Sequence, residues 1–207
     1  KPVNKPKNET LNEHYTFESF IVGSSNQLAH AAAQSVAKKP GKSYSPLYIY
    51  GDSGLGKTHL IQAIGHEAIE HNAKTKVLYA TCEAFTNDFI ESVQIGKAKD
   101  FKDRYRNVDI LIIDDIQFLG RKEQTQEEFF HTFNHLHQKN KQVVLTSDRP
   151  PKEIKGLEKR LITRFEWGMV ADIQTPDFET RCAILKAKCE EKNVVVGEDV
   201  ISFIAEN

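Results

Sequence analysis

One eight-residue run constrains this chain more than any other feature. Residues 51–58 read Gly-Asp-Ser-Gly-Leu-Gly-Lys-Thr, which matches the phosphate-binding pattern G-x-x-x-x-G-K-[ST] without a gap. Residues 47–50 ahead of it are apolar and favour a strand, and residues 59–69 repeat apolar side chains at helical spacing. In that context backbone N–H groups and a helix N-terminus face an anion. The run therefore predicts a nucleoside triphosphate site.

Each residue type in the run has an expected role. Lys57 is expected to reach the β- and γ-phosphates, and the Thr58 hydroxyl to ligate Mg²⁺. The residues expected to contact the nucleotide here are Asp52, Ser53, Gly54, Leu55, Gly56, Lys57, Thr58 and His59. A glycine-rich surface turn is the alternative interpretation.

Strand and helix patterns alternate along the rest of the chain. Further strands are predicted at residues 76–81, 108–114, 142–147 and 169–173, and helices at 83–94, 96–106 and 124–139. A helix capped by Ser24 or Ser25 is expected ahead of the first strand. The unbroken apolar run before Asp114 indicates a central parallel strand buried on both faces. The expected fold is α/β, a doubly wound parallel sheet with helices on both faces.

Acidic residues follow two of these strands. Asp114 is expected to hold Mg²⁺ through its water shell, and Asp115 to polarise an attacking water. Asp148 ends the next strand, from which the segment 146–148 can reach the γ-phosphate or its water. Solvated turns are the alternative for both sites.

Two arginines, Arg160 and Arg164, lie four residues apart on a short predicted helix. Arginine fingers occur at this point of nucleotide-driven assemblies, where one subunit completes the site of its neighbour. A solvated helix face is the alternative.

Composition narrows the function classes. Lys and Arg number 28 against 29 Asp and Glu, a net charge of −1, so any contact with nucleic acid must be local. The 3 cysteines lack metal spacing and suit a reduced cytosolic compartment. No apolar run reaches the roughly 18 residues that span a membrane. His131 and His135 lie at metal spacing but lack a third ligand, so no zinc site is predicted.

Several segments together resemble the AAA+ ATPase domain of the DnaA family of bacterial chromosomal replication initiators. They are residues 51–60, 113–118, 126–133, 146–154 and 164–168, and the similarity runs from about Tyr15 to the last residue. The resemblance implies a P-loop fold of the AAA+ type and ATP hydrolysis that acts as a slow switch. It also implies ATP-dependent assembly into a filament that opens the origin and helps to load the replicative helicase.

The resemblance also assigns roles to single residues. It implies that Asp148 is the sensor-1 residue, Arg164 the arginine finger and Arg160 a second interface arginine. Ile21 and Val22 fall where the family packs the adenine. In the AAA+ superfamily the acid at position 115 is usually Glu; the shorter Asp115 follows the initiator pattern and suits a slow switch.

The predicted helix pair at residues 83–106 resembles the insertion that distinguishes initiators from other AAA+ proteins. By the same resemblance, Ile90, Lys122 and Thr125 are expected to contact the backbone of single-stranded DNA. Some members carry arginine where this chain has Gln124, and no aromatic-basic stacking platform is visible in the sequence.

The expected organisation is a linker at residues 1–12, the AAA+ core at 13–175, and the beginning of a helical lid at 176–207. The sensor-2 arginine, the C-terminal domain that reads duplex DnaA boxes and most helicase contacts are expected outside this chain. Implied partners within it are other copies, single-stranded origin DNA and acidic phospholipids. The expected location is the cytoplasm, at the nucleoid.

Two other classes stay open. A helicase loader or transposition ATPase shares the fold and the sequence Gly-Lys-Thr-His, but the helix pair and residues 164–168 favour an initiator. A small-molecule kinase would leave Arg160 and Arg164 without a role, and no acceptor-binding motif appears.

Overall fold

Strands and helices alternate in the computed structural model, which describes residues 10–206. The strands are β1 (Leu47–Tyr50), β2 (Val77–Thr81), β3 (Ile110–Asp114), β4 (Gln142–Ser147) and β5 (Met169–Asp172). The helices are α1 (Gln27–Lys38), α2 (Lys57–His71), α3 (Cys82–Gln94), α4 (Ala98–Arg106), α5 (Glu123–Gln138), α6 (Lys159–Phe165), α7 (Phe178–Lys192) and α8 (Glu198–Glu206). Short 3₁₀ helices occupy Ile116–Leu119 and Pro151–Glu153. Over residues 10–206 no helix is long and apolar enough to cross a membrane.

The five strands form one parallel sheet in the order β2-β3-β4-β1-β5. Because β1 lies between β4 and β5, the phosphate-binding loop that follows it is placed among strands from the second half of the chain. The register sets Tyr50 beside Ser147 and Thr81 beside Asp114. The loops after β1, β3 and β4 therefore meet at the carboxyl edge of the sheet, where ligands bind in open α/β folds.

Alternate residues of each strand point to opposite faces, and each face has its own core. Leu47 and Ile49 pack with α1 and α2, whereas Tyr48 packs on the other face with α3, α5 and α6. The sheet is covered on both sides, so the predicted doubly wound α/β fold is confirmed. The predicted strands 76–81 and 108–114 begin one and two residues later than expected.

The N-terminal segment packs further upstream than expected. Residues 1–9 of the predicted linker lie outside the described part of the chain. Leu11 is buried against Gly65 and Val77, and the Asn12 N–H donates to Gln62 Oε1 at 2.7 Å. Leu11, an apolar side chain in an otherwise polar stretch, fills a gap beside α2. At least Leu11 and Asn12 therefore belong to the packed domain.

The N-cap of α1 also differs from the prediction. The residue before the helix is Asn26, and neither Ser24 nor Ser25 caps it. The Asn26 side chain instead ties the preceding turn, since it accepts from the Gly23 N–H and donates to the Ile21 carbonyl, both at 3.0 Å. Ser24 Oγ donates to the Asp177 carboxylate at 2.8 Å, which links this turn to the start of α7.

Candidate nucleotide-binding site

The loop between β1 and α2 has the shape that a phosphate requires. Gly56 precedes α2 with φ 90°, a left-handed conformation that favours glycine. Gly51 has φ 153°, and a Cβ there would lie 2.2 Å from the Ile173 carbonyl oxygen. The backbone can therefore make a tight turn and present the N-terminus of a 15-residue helix to an anion. The Lys57 ammonium lies inside this turn and donates to the carbonyls of Gly51 at 2.7 Å and Asp52 at 2.8 Å.

The carboxylate of Asp114 lies at the centre of a network of hydroxyl groups. Its Oδ2 accepts from Thr58 Oγ1 at 2.7 Å and from the Tyr79 hydroxyl at 3.0 Å, and its Oδ1 accepts from Thr146 Oγ1. Asp114 is buried, with only 3% of its surface exposed. The structure thus brings together Thr58 and Asp114, the two residues predicted to hold Mg²⁺.

The sequence analysis missed Tyr79, and it expected Thr146 to reach the γ-phosphate or its water, not Asp114. Burial and the neighbouring Asp114 carboxylate raise the pKa of Tyr79, so its hydroxyl stays protonated and can donate. Thr146 is completely buried and also accepts from the Asp115 N–H at 2.9 Å. Their only signal in the sequence was a polar group on a predicted strand.

Asp115 takes a left-handed backbone conformation, with φ 58° and ψ 49°. Aspartate tolerates this region better than most residues, and such conformations concentrate at functional sites. The Asp115 side chain is half-buried, and its Oδ1 accepts from Gln117 Nε2 at 3.1 Å. The turn therefore sends the chain away from the sheet directly after the Asp114 carboxylate.

Asp148 follows β4 at the same edge and forms a two-bond pair with its neighbour. Arg149 Nε and Nη2 donate to the two carboxylate oxygens at 2.8 and 2.7 Å. The Arg149 hydrogen bonds hold the pKa of Asp148 below its usual value, with a smaller contribution from Lys57. Asp148 is therefore an anion within the electrostatic field of the phosphate loop.

A cleft of about 580 Å³ opens beside the phosphate loop. Its walls come from the segment before α1, the phosphate loop, the residues after β5, and α7. The residues that matter most for a ligand are Phe20, Ile21, Gly54, Leu55, Gly56, His59, Ile184 and Lys188. Of the two residues expected to pack the adenine, Ile21 lines this cleft, whereas Val22 is outside the lining and 45% exposed. Asp52, Ser53, Lys57 and Thr58 lie in the loop itself and not in this lining.

Aromatic rings line one side of the cleft. The His59 ring stacks on Tyr15 at 5.0 Å and meets the edge of Phe20 at 5.2 Å. Burial lowers the pKa of His59, and its Nε2 donates to the Thr16 carbonyl at 2.8 Å. Ser25 also lines the cleft, and its buried hydroxyl has no hydrogen-bond partner among residues 10–206.

The start of α7 is packed tightly against the segment before α1. A Cβ on Gly23 would lie 2.2 Å from Thr180 Oγ1, so only glycine allows this approach. Asp177 caps α7 by accepting from the Thr180 N–H at 2.8 Å, and it also accepts from Ser24. The segment before α1, which forms one wall of the cleft, is therefore joined to α7, the predicted lid helix, at this point.

Arg160 and Arg164 both lie on α6 and contact α5. Each guanidinium carbon lies over the Phe130 ring, at 4.5 Å for Arg160 and 4.6 Å for Arg164. Arg160 Nε forms an ion pair with Glu158 at 2.5 Å, and Arg164 Nε donates to Asn134 Oδ1 at 3.1 Å. Neither arginine lines the nucleotide cleft of its own chain.

The three residues predicted to contact DNA differ in how far they are exposed. Ile90 is 47% exposed on α3, and Lys122 immediately precedes α5, at the positive end of a 16-residue helix. Thr125 is buried, with 4% of its surface exposed, and its contact with DNA stays a prediction. It lies four residues before Phe129, on the stripe of α5 that packs into the core. The exposed Val93 and Ile95, which the sequence analysis did not single out, extend the apolar surface around Ile90.

Cys82, Cys182 and Cys189 are free thiols. Within residues 10–206 no group of three or more His, Cys, Asp or Glu side chains is arranged to hold a metal ion.

Comparison with known proteins agrees with these features. The family model described as the bacterial DnaA ATPase domain matches residues 11–172. The chromosomal replication initiator proteins DnaA of Thermoanaerobacter sp. strain X514 and of Caldanaerobacter subterraneus are each 56% identical over 197 residues. Those alignments cover 95% of this chain and 44% of each relative, so the chain spans less than half the length of these relatives.

Solved structures give the same result. Domain III of Thermotoga maritima DnaA is 47% identical with a TM-score of 0.93, over 95% of this chain and 82% of that one. A replication initiator DnaA bound to AMPPCP and single-stranded DNA is 42% identical with a TM-score of 0.88, over 95% and 61% of the two chains. The DnaC helicase loader, at 15% identity and a TM-score of 0.68, shares the fold alone. The chain belongs to the family of bacterial DnaA replication initiators and carries their AAA+ ATPase domain.

Proposed function

We propose that this chain is the ATP-dependent switch of a replication initiator, which binds ATP or ADP with Mg²⁺ and assembles with other copies in the ATP state. The observation that carries the proposal is the Asp114 network. A buried carboxylate is held beside the phosphate loop by Thr58, Tyr79 and Thr146, three side chains from three different elements. Burial of an isolated carboxylate costs free energy, so these three hydrogen bonds indicate that the carboxylate serves the nucleotide site.

Thr58 and Asp114 would hold the Mg²⁺ that accompanies the nucleotide. Mg²⁺ prefers oxygen ligands and keeps several waters, so one hydroxyl and one carboxylate suffice on the protein side. The hydroxyl donors on Asp114 hold its carboxylate in place. When bound, the ion neutralises the charge that develops on the transferred phosphoryl group.

Hydrolysis would depend on the acids at the same edge of the sheet. Asp115 would orient the attacking water, and Asp148 would report on the γ-phosphate through Lys57 and Arg149. The short Asp115 side chain already accepts from Gln117, at 3.1 Å, and its backbone is turned away from the sheet. These features support slow turnover, as a switch requires and a motor does not.

Assembly would use Arg164. The residue lies outside the cleft of its own chain, and a γ-phosphate on a neighbouring copy offers oxygens that suit a bidentate donor. ATP has this group and ADP lacks it, so the nucleotide would control the assembly. Arg160 would contribute a second contact on the same surface.

Single-stranded origin DNA would bind at the surface formed by Ile90 and Lys122. The exposed Ile90, the helix N-terminus behind the half-buried Lys122 and the similarity to a DnaA solved with single-stranded DNA support this assignment. The near-neutral charge argues against broad duplex binding by this domain. Contacts with the helicase and with acidic phospholipids, and a cytoplasmic location at the nucleoid, rest on membership of the family.

Substitution of Lys57 tests the nucleotide site. Lys57→Ala removes the cation nearest the phosphates, so affinity for ATP and ADP should fall at least a hundredfold while the melting temperature stays within a few degrees. Calorimetric titration measures both nucleotides. The exposed Lys74 provides the matched control, since Lys74→Ala removes the same charge away from the loop. Equal affinities of wild type and Lys57→Ala would contradict the assignment.

The helicase-loader alternative has no observation that favours it. The DnaC loader and the DnaI structure share 15% and 19% identity with the chain, which shows a common fold and nothing more. The initiator relatives share 42% to 56%.

A further inference from the structure

Arg164 is a half-buried cation that is held by neutral groups. Its guanidinium carbon lies 4.6 Å from the centre of the Phe130 ring and 4.7 Å from that of Trp167. Its Nε donates to Asn134 Oδ1 at 3.1 Å. Within residues 10–206, no carboxylate forms an ion pair with it. The charge of Arg164 is therefore oriented but not neutralised.

The neighbouring Arg160 provides an internal contrast. It lies over the same Phe130 ring at 4.5 Å, but Glu158 forms an ion pair with its Nε at 2.5 Å. A phosphate that approached Arg160 would have to compete with this carboxylate, whereas one that approached Arg164 would not. The two arginines share a helix and a spacing, yet only Arg164 offers an uncompensated charge.

Trp167 is hard to explain by packing alone. Its side chain is 51% exposed, although tryptophan is among the most apolar residues of a chain. It contacts the rings of His137, at 5.2 Å, and the Arg164 guanidinium. An aromatic face stabilises a cation without cancelling its charge. An exposed tryptophan in this position is therefore suited to hold an arginine that must later meet an anion.

We propose that Phe130, Trp167 and Asn134 form a clamp that positions Arg164 for the γ-phosphate bound by a neighbouring copy of the chain. The inference rests on the proposed role of Arg164 in assembly. The two rings restrict the guanidinium plane, and Asn134 occupies Nε, which leaves the terminal nitrogens for a bidentate contact. Less side-chain freedom is then lost on assembly, because the guanidinium is already ordered. The three are positioning residues, since they act through Arg164.

The test compares variants of the full-length protein in ATP-dependent assembly, measured by analytical ultracentrifugation over a range of concentrations. Trp167→Leu keeps an apolar side chain and removes the aromatic face, so the concentration for half-assembly should rise about threefold. Asn134→Ala should have a similar effect, and the two together should raise it about tenfold. Trp167→Phe restores a ring and should return the value to within twofold of wild type.

Controls separate positioning from folding. Monomer ATP affinity and melting temperature should be unchanged in Trp167→Leu, because the ring is exposed. Tyr44→Leu removes an exposed aromatic that precedes β1, at the same end of the sheet as Trp167, whereas the rings over Arg164 are those of Phe130 and Trp167, so this variant should assemble like wild type. A Tyr44→Leu effect equal to that of Trp167→Leu would overturn the proposal.

Arg164→Ala distinguishes the clamp from the function on which it rests. Loss of assembly in Arg164→Ala, with wild-type assembly in Trp167→Leu and Asn134→Ala, would refute the clamp and leave the finger intact. Wild-type assembly in Arg164→Ala would refute the finger, and the clamp with it. Graded loss across all three variants, with rescue by Trp167→Phe, is the expected result.

Discussion

The hydroxyl of Thr146 offers the sharpest test of the Asp114 network. Thr146→Val keeps the shape of the side chain and removes only its hydrogen bonds. The hydroxyl donates to the Asp114 carboxylate and accepts from the Asp115 N–H, and all three groups are buried or half-buried. A hydrogen bond to a charged group contributes about 1.5–3 kcal/mol, and a buried N–H left without a partner costs about 1–3 kcal/mol.

Because the two losses share one site, we expect a total destabilisation of about 2–4 kcal/mol. For a domain of this size, 1 kcal/mol corresponds to about 2–4 °C, so the melting temperature should fall by about 4–16 °C. Thermal and guanidinium unfolding of wild type and variant, in chains of equal length, measure the loss. ATP hydrolysis should also fall and require more Mg²⁺, since Asp114 would lose one of its three hydroxyl donors.

Two further variants make the result specific. Thr146→Ser retains the hydroxyl and should lose about 1 kcal/mol, from the missing methyl group. Thr86→Val is the matched control, because that buried hydroxyl donates only to the Cys82 carbonyl within α3, at 2.7 Å. If Thr146→Val is no less stable than Thr86→Val, the hydroxyl does not hold Asp114 and the reasoning fails.

The remaining predictions concern assembly and DNA. Arg164→Ala should leave monomer ATP affinity nearly unchanged and abolish ATP-dependent oligomers and filaments on single-stranded DNA; light scattering and crosslinking measure this, and loss of monomer ATP binding would contradict it. Lys122→Ala should weaken ATP-dependent binding to single strands and reduce the slope of log affinity against log salt by about 0.7; an unchanged slope in anisotropy titrations would exclude a phosphate contact. The 207-residue chain should not distinguish origin duplex from random duplex, and tight, ATP-independent, sequence-specific duplex binding would refute this.

The elements that the sequence predicted well are those set by local pattern. The run 51–58 identifies its own strand, turn and helix, and the nearly continuous apolar run at residues 108–114 indicates a buried strand. β4 was predicted at its observed bounds, Gln142–Ser147. Each of these depends on residues within about ten positions of one another, so no tertiary information is needed.

The parts that the sequence did not predict depend on neighbours far apart in the chain. Tyr79 reaches Asp114 only because β2 pairs with β3 in a register that places Thr81 beside Asp114. Thr146 reaches the same carboxylate from β4, 32 residues later. Neither register can be read from one strand alone.

The two arginines of α6 cannot be distinguished by sequence pattern, but they differ in the groups that they contact. In the sequence Arg160 and Arg164 are equivalent, four residues apart on one helix face. Glu158 compensates the first, and uncharged side chains hold the second. An arginine finger for a γ-phosphate needs an uncompensated positive charge and a restricted side-chain conformation. Uncharged partners meet both requirements, whereas a carboxylate restricts the side chain but compensates its charge. The difference between the two residues therefore lies in their partners and not in their position.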